Sequence, residues 1–172
     1  DLQLTLFDPS GKSAKTLAAL GVPFTRAVRP TAPGIGALVI APGALTDAGE
    51  GAWRASLAAF VKKGGRVLVL AQRQEPDFVP VKLTVSKREL TTIAFVRAGD
   101  HPALRGLRDN ELRWWADGMD VSTHNFRKPT RGNWLPLVDV GTVDGPVETS
   151  LLELYDGEGS FMLCQMPIVR KA

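Results

Sequence analysis

A chain of 172 residues with 44% apolar content can bury one full core, and its length argues against a second independent one. Its 21 basic and 18 acidic residues leave a formal charge of only +3, and the basic groupings Lys87-Arg88, Arg105/Arg108 and Arg127-Lys128/Arg131 are interleaved with acidic and apolar residues. They read as solvated faces, so no nucleic-acid partner is expected. A single cysteine, Cys164, excludes an internal disulfide framework and a multi-cysteine metal site, and no apolar run is long enough to span a bilayer. No basic-then-apolar leader precedes the first strand, and compartment is left open. The chain starts at Asp1 rather than Met, which reads as a segment cut from a longer protein.

In chain order, Leu2 to Phe7 suits a first strand, and Asp8-Pro-Ser-Gly11 a turn. Lys12 to Leu20 reads as a helix with Ala14, Leu17 and Ala18 on one face, ended by Gly21 and Pro23. Phe24 to Val28 is a short strand, and the Pro/Gly-rich stretch from Pro30 to Gly36 is a loop. Ala37 to Ala41 is an apolar run stopped by Pro42-Gly43, as in a parallel strand covered on both faces. Trp53, Leu57, Phe60 and Val61 then form one helical stripe before Lys62-Lys63 and a glycine C-cap at Gly64-Gly65, and Arg66 to Leu70 is another buried strand. Strand, helix, strand, loop, strand, helix, strand is the order of an open, doubly wound α/β sheet.

Beyond Leu70 the pattern loosens. A polar loop runs from Gln72 to Pro80, and Lys82 to Ser86 and Thr91 to Ala98 are strands, antiparallel to each other or at the sheet margin. His101 to Gly106 is a turn, Asp109 can cap a helix from Asn110 to Trp115, and Met119 to Ser122 and Leu135 to Val140 are short strands. Ser150 to Tyr155 and Ser160 to Met166 flank Asp156-Gly-Glu-Gly159 as a hairpin.

Few of these segments carry recognisable chemistry. Gly11-Lys12-Ser13 sits in a strand-to-helix turn but lacks the glycine five residues earlier that a phosphate loop requires, because Leu6 stands there. The turn Ala71-Gln72-Arg73-Gln74-Glu75 contains neither nucleophile nor glycine, unlike a nucleophile elbow. Cys164 falls inside an apolar strand, where a thiol is inert core. His101, before Pro102, suits a backbone cap. His124 lies in a polar loop with Asn125 and Arg127, and Trp114, Trp115 and Trp134 are near in sequence. Aromatic faces beside Asn, Arg and His are the materials of a sugar-binding surface, although the same tryptophans could instead fill a core or a domain interface.

Several of these pieces together resemble a known group. The strand from Ala37 into Pro42-Gly43, the helix end Phe60-Val-Lys-Lys-Gly-Gly-Arg66 and the strand from Val67 to Leu70 look like the class I glutamine amidotransferase-like fold. That group includes ThuA-like trehalose-utilisation proteins and the trimerisation domain of some β-galactosidases. His101-Pro-Ala-Leu-Arg-Gly-Leu107 is similar to the His-Pro…Gly-Leu segment of the ThuA-like proteins. Leu112-Arg-Trp-Trp115, Lys128-Pro129, Leu151-Leu-Glu153, Gly157-Glu-Gly159 and Leu163-Cys-Gln165 look most like accessory domains near the C-terminus of large family 2 glycoside hydrolases.

The resemblance implies a three-layer, flavodoxin-like open sheet, mostly parallel, with an antiparallel C-terminal hairpin, and one domain over residues 1–172. Catalytic amidotransferases carry an elbow cysteine and a late His-x-Glu pair; here Gln72 and Arg73 mark a vacant elbow and neither histidine has Glu two residues on. No catalytic, cofactor-binding or metal-binding residue carries over, and the acid and nucleophile of the parent glycoside hydrolase would lie in another domain. The expected role is therefore domain packing, oligomer formation or shaping of a substrate cleft, the partners being other domains of the parent or a second copy. A second reading is a glycan-binding module using Trp114, Trp115, His124, Asn125, Arg127 and Trp134. A third is a hydrolase working through Asp8, Glu75 or Asp120, provided that two of these acids face one cleft.

Overall fold

The structure, a computed structural model, describes residues 3–49, 51–87, 91–113, 115, 121–142 and 145–168. The first elements form where hydrophobic period and turn residues require them. They are strand β1 (Leu4–Phe7), helix α1 (Lys12–Ala19), β2 (Thr25–Ala27), β3 (Ala37–Ile40), α2 (Trp53–Lys62) and β4 (Arg66–Leu70). Later come β5 (Val85–Lys87), β6 (Ile93–Val96), α3 (Asp109–Leu112), β7 (His124–Arg127), β8 (Trp134–Thr142), β9 (Gly145–Asp156) and β10 (Gly159–Cys164). All ten described strands belong to one mixed, open sheet.

Half of this sheet is parallel, in the order β2-β1-β3-β4-β10. Alternation along its strands divides the core in two. Leu38, Ile40, Val67, Val69, Phe161 and Leu163 pack with Trp53, Leu57 and Val61 of α2. Leu6, Val39, Leu70 and Cys164 pack with Ala14 of α1 in a second cluster. One helix thus covers each face. The end of α2 is a Schellman motif, with Gly64 N donating to Val61 O (2.9 Å) and Gly65 N to Phe60 O (3.0 Å). Gly64 has φ +98°, and a side chain on Gly65 would run into the Phe60 ring.

The other half is antiparallel and turns on β9, twelve residues long and reaching back to Gly145, well before the expected start at Ser150. β8 pairs with β9 along most of its length, so β10 and β7 must share its opposite edge. β10 takes the stretch from Leu151 to Asp156, and β7 follows at Glu148 and Thr149. β7 therefore continues beyond the C-terminal end of β10. β5 and β6 do not pair with each other; they add to β7 and β8 at the margins.

Three local expectations are corrected. The stretch around His124, expected as a polar loop, holds strand β7, which pairs with β5 and β9. Asp109 does not cap its helix: it is the first residue of a four-residue turn of helix, and its carboxylate accepts from Val96 N (2.7 Å). The start of α3 is closed instead by Glu111 accepting from Arg108 N (2.6 Å). Val121 and Ser122 are not in a strand, and the rest of the stretch from Met119 lies outside the described residues. Among the described residues no helix is long and apolar enough to cross a membrane.

Candidate functional site

A cleft of about 580 Å³ opens at the C-terminal ends of the parallel strands, where ligands of open α/β sheets bind. Its floor is Gln72 and Gln165, the residues that follow β4 and β10 closely. Ser10 and Lys12 come from the turn after β1, Thr46 from the short turn after β3, and Arg73 from the loop after β4. Thr123 and His124 arrive from the other half of the sheet, because β7 starts beyond the end of β10.

The floor is fixed by amides. Gln72 Nε2 donates to Ala41 O (2.8 Å) and to the carbonyl of Leu70, while its Oε1 accepts from Leu45 N (3.1 Å). Its backbone N donates to Gln165 Oε1 and its carbonyl accepts from Gln165 Nε2, both at 2.9 Å. Both glutamines are 4% exposed, and their polar groups are consumed in joining β3, β4 and β10. The residue at the elbow position is therefore a structural staple. Gly43, at φ +71°, completes the join by donating its N–H to Ala71 O (2.9 Å).

Basic and hydroxyl side chains make up the walls. Lys12 and Arg73 are exposed and, among the described residues, enter no ion pair. The half-buried His124 ring holds Thr123 Oγ1 at 3.0 Å from its Nδ1. No carboxylate lines the cleft among the described residues. Asp8 stands just behind it, accepting from Ser10 Oγ (2.8 Å), Gly11 N (3.0 Å) and Ala14 N (2.9 Å). Its charge thus occupies the positive end of α1, the place that a phosphate would take in a phosphate loop.

Of the tryptophan-rich set, His124 lines the cleft, and Trp115 braces its edge by donating Nε1–H to Pro167 O (3.1 Å), Pro167 being a wall residue. Asn125 is fully buried; its Oδ1 accepts from Ser122 Oγ (2.5 Å) and its Nδ2 donates to Thr91 Oγ1 (3.3 Å). Arg127 is exposed at the other end of β7. Trp134 pairs in register with Leu154, toward the N-terminal ends of the parallel strands, and packs against the core on the α2 side. Trp114 lies outside the described residues. The set is thus spread over several places. The candidate acids are likewise apart: Asp8 caps α1, Glu75 borders a separate hollow beside Pro76 and Val81, and Asp120 lies outside the described residues.

Two buried acidic clusters lie away from the cleft. Asp139 Oδ2 accepts from Arg97 Nε and Lys128 Nζ, each at 2.6 Å. Glu153 accepts from Ser160 Oγ (2.5 Å) and Tyr155 Oη (2.7 Å), and its Oε2 lies 3.0 Å from His101 Nε2. Burial pushes the Glu153 carboxyl up, but the bonds from Ser160, Tyr155 and His101, with the charge of His101, outweigh it and hold the group below the ordinary range. Tyr155 is driven up to about 12, by burial first and then by its bond to Glu153 and the charge there. His101 does cap backbone, accepting from Ala103 N (3.2 Å). Its acidic partner is 52 residues away and was invisible to sequence spacing. The Cys164 thiol is buried and pushed up to about 11 by that burial, which leaves it unreactive. Among the described residues no three His, Cys, Asp or Glu side chains gather as a metal-ligand set.

No family model matches the sequence, and no curated protein matches it at a significant level. Solved structures do share its fold. The carbohydrate deacetylase Agd3 superposes with a TM-score of 0.59 at 14% identity, over 98% of this chain and 29% of that one. A ThuA-like protein from Bacteroides uniformis gives 0.52 at 8% identity, over 95% of this chain and 80% of that one. The exo-β-1,4-mannosidase Op5Man5 from Opitutaceae bacterium strain TAV5 gives 0.51 at 15% identity, over 96% of this chain and 31% of that one. At such identities these likenesses establish the fold alone. The same architecture stands as most of the cytoplasmic protein STM1381 from Salmonella typhimurium LT2, with a TM-score of 0.64 at 10% identity over 96% of this chain and 88% of that one, as most of a ThuA-like protein, and as about a third of two carbohydrate-active enzymes.

Proposed function

We propose that this chain is a non-catalytic, glutamine amidotransferase-like domain of a larger carbohydrate-active enzyme, of the family 2 glycoside hydrolase kind, and that it serves domain packing or oligomer formation. The observation that carries this reading is Gln72. Where a catalytic member of the fold needs a free nucleophile, this chain has a buried amide whose donors and acceptor all hold neighbouring strands together. The strand order β2-β1-β3-β4-β10 corresponds to the 2-1-3-4-5 order of a flavodoxin-like sheet, and the helices on opposite faces support three layers. That the deacetylase and the mannosidase each contain this fold as part of a longer chain supports the accessory role.

Packing also has a surface. Leu20, Val22, Val28 and Ile35 are exposed in the segments that flank the edge strand β2, Val28 at 94% and Ile35 at 73%. Single exposed apolar residues are ordinary, but four within sixteen positions beside one sheet edge suit a neighbouring domain of the parent chain.

The test is an activity screen of this chain on nitrophenyl glycosides, acetylated sugars and free glutamine, with a sizing run on the same sample. We expect no turnover. Turnover that disappears in Arg73→Ala or His124→Ala would overturn the reading in favour of a hydrolase. A monomer on sizing assigns the apolar segment to domain packing; an oligomer dissolved by Val28→Asp with Ile35→Asp assigns it to assembly.

A further inference from the structure

We infer that the cleft above Gln72 binds an acidic sugar, a ring of hydroxyls bearing one carboxylate or sulfate, with Lys12 and Arg73 holding the anion. The inference rests on the accessory-domain reading and gives that domain a ligand. At about 580 Å³ the cleft falls within the range of small-molecule sites, roughly 300–1,000 Å³. Its floor is rigid, because Gln72 and Gln165 lock each other in place. The floor therefore loses little entropy on binding, and the ordering cost falls on the exposed Lys12 and Arg73 side chains.

The chemistry of the walls selects the ligand. Lys12 and Arg73 supply positive, donating groups, and Ser10, Thr46 and Thr123 supply hydroxyls suited to a sugar's own. Tryptophan, tyrosine and phenylalanine are missing from the lining among the described residues, so ring stacking, the usual source of affinity for a neutral sugar, has no platform there. Affinity must then come from charge. The amides at the start of α1 are already bonded to Asp8, so an anion entering the cleft meets side chains rather than a helix end. A planar guanidinium pairs well with a carboxylate or sulfate, and the nearby Asp8 carboxylate, behind the wall at Ser10, is held by Ser10 Oγ, Gly11 N and Ala14 N.

The test is calorimetric titration of the chain with a galacturonate disaccharide, galactose 6-sulfate, neutral galactobiose, and sodium sulfate and sodium phosphate alone. The expected result is saturable binding of at least one acidic sugar, at least about tenfold tighter than galactobiose and weakened by salt. Arg73→Ala and Lys12→Ala should each weaken it about tenfold. Both side chains are exposed, so the variants should melt like the parent chain, which separates lost binding from lost folding. The two acidic probes tell carboxylate from sulfate recognition. Equal binding of galactobiose, binding that survives both substitutions, inorganic anions bound as tightly as the sugars, or no binding at all would each overturn the site. If binding is absent and the activity screen is silent, the accessory reading stands without this ligand. If the acidic sugar is bound and turned over, the site stands and the accessory reading falls.

Discussion

Glu153 shows at the scale of one residue how this chain tolerates buried charge. Its carboxylate is 4% exposed, and burial works against the ionised form; donors from Ser160, Tyr155 and His101 outweigh that and favour it. With the folded-state pKa below the reference value of 4.5, the group contributes stability above pH 4.5. That contribution is lost as pH falls through the folded value, because the unfolded chain then binds the proton first. Glu153→Gln should cost about 1–3 kcal/mol at neutral pH and flatten the acid limb. Urea midpoints measured from pH 6 to pH 2 should therefore converge between parent and variant; parallel curves would mean that Glu153 does not carry this linkage.

At the scale of elements, the turn of the β9–β10 hairpin is set into the end of α2. Glu158 N donates to Lys62 O (3.2 Å) and Ser160 N to Gly65 O (3.2 Å), and the two glycine-rich motifs meet there backbone to backbone. A Cβ on Gly159 would collide with the carbonyls of Gly65 and Val61, whereas one on Gly11 would meet open space, although φ is +72° there. Gly159→Ala should thus cost about 2–4 kcal/mol by overpacking, and Gly11→Ala about 1–2 kcal/mol by backbone strain alone. Denaturant titration of both decides the matter, and equal losses would remove the docking argument. Such junctions also mark the limit of sequence reading. β1 to β4, α1, α2 and the hairpin are legible because their periods and glycine stops are local. The partners of β5 and β6 are not, because each pairs with a distant strand and nothing in its own alternation names that strand. The site follows the same rule. Gln72 and Arg73 are legible as the residues after a buried strand; His124, read as part of a polar loop, instead opens strand β7. Ser10, Thr46 and Thr123 reach the cleft only through strand order, and Glu153 meets His101 only across the sheet.

The whole molecule is organised by one shared strand. The end of β9 from Leu151 to Asp156 is bonded to β10 in the parallel half, its start near Glu148 to β7, and β8 runs beside both parts. Neither half can lose its sheet without stripping hydrogen bonds from β9. A chain of this size often unfolds through intermediates, but a strand common to both halves of the sheet should couple them into one transition. Leu57, on α2, is fully buried against the parallel strands in the cluster on one face, and Leu137, on β8 of the antiparallel half, is fully buried in the cluster on the other face. Leu57→Ala and Leu137→Ala should each lower stability by about 2–5 kcal/mol and move the same single midpoint. Circular dichroism and tryptophan fluorescence, followed in parallel through urea, provide the check. Two transitions, each shifted by only one of the variants, would show that the halves unfold independently and that β9 does not join them. Coincident transitions would tie the strands that frame the cleft, which draws walls from both halves, to the global transition, and would leave its loop-borne side chains free to open locally.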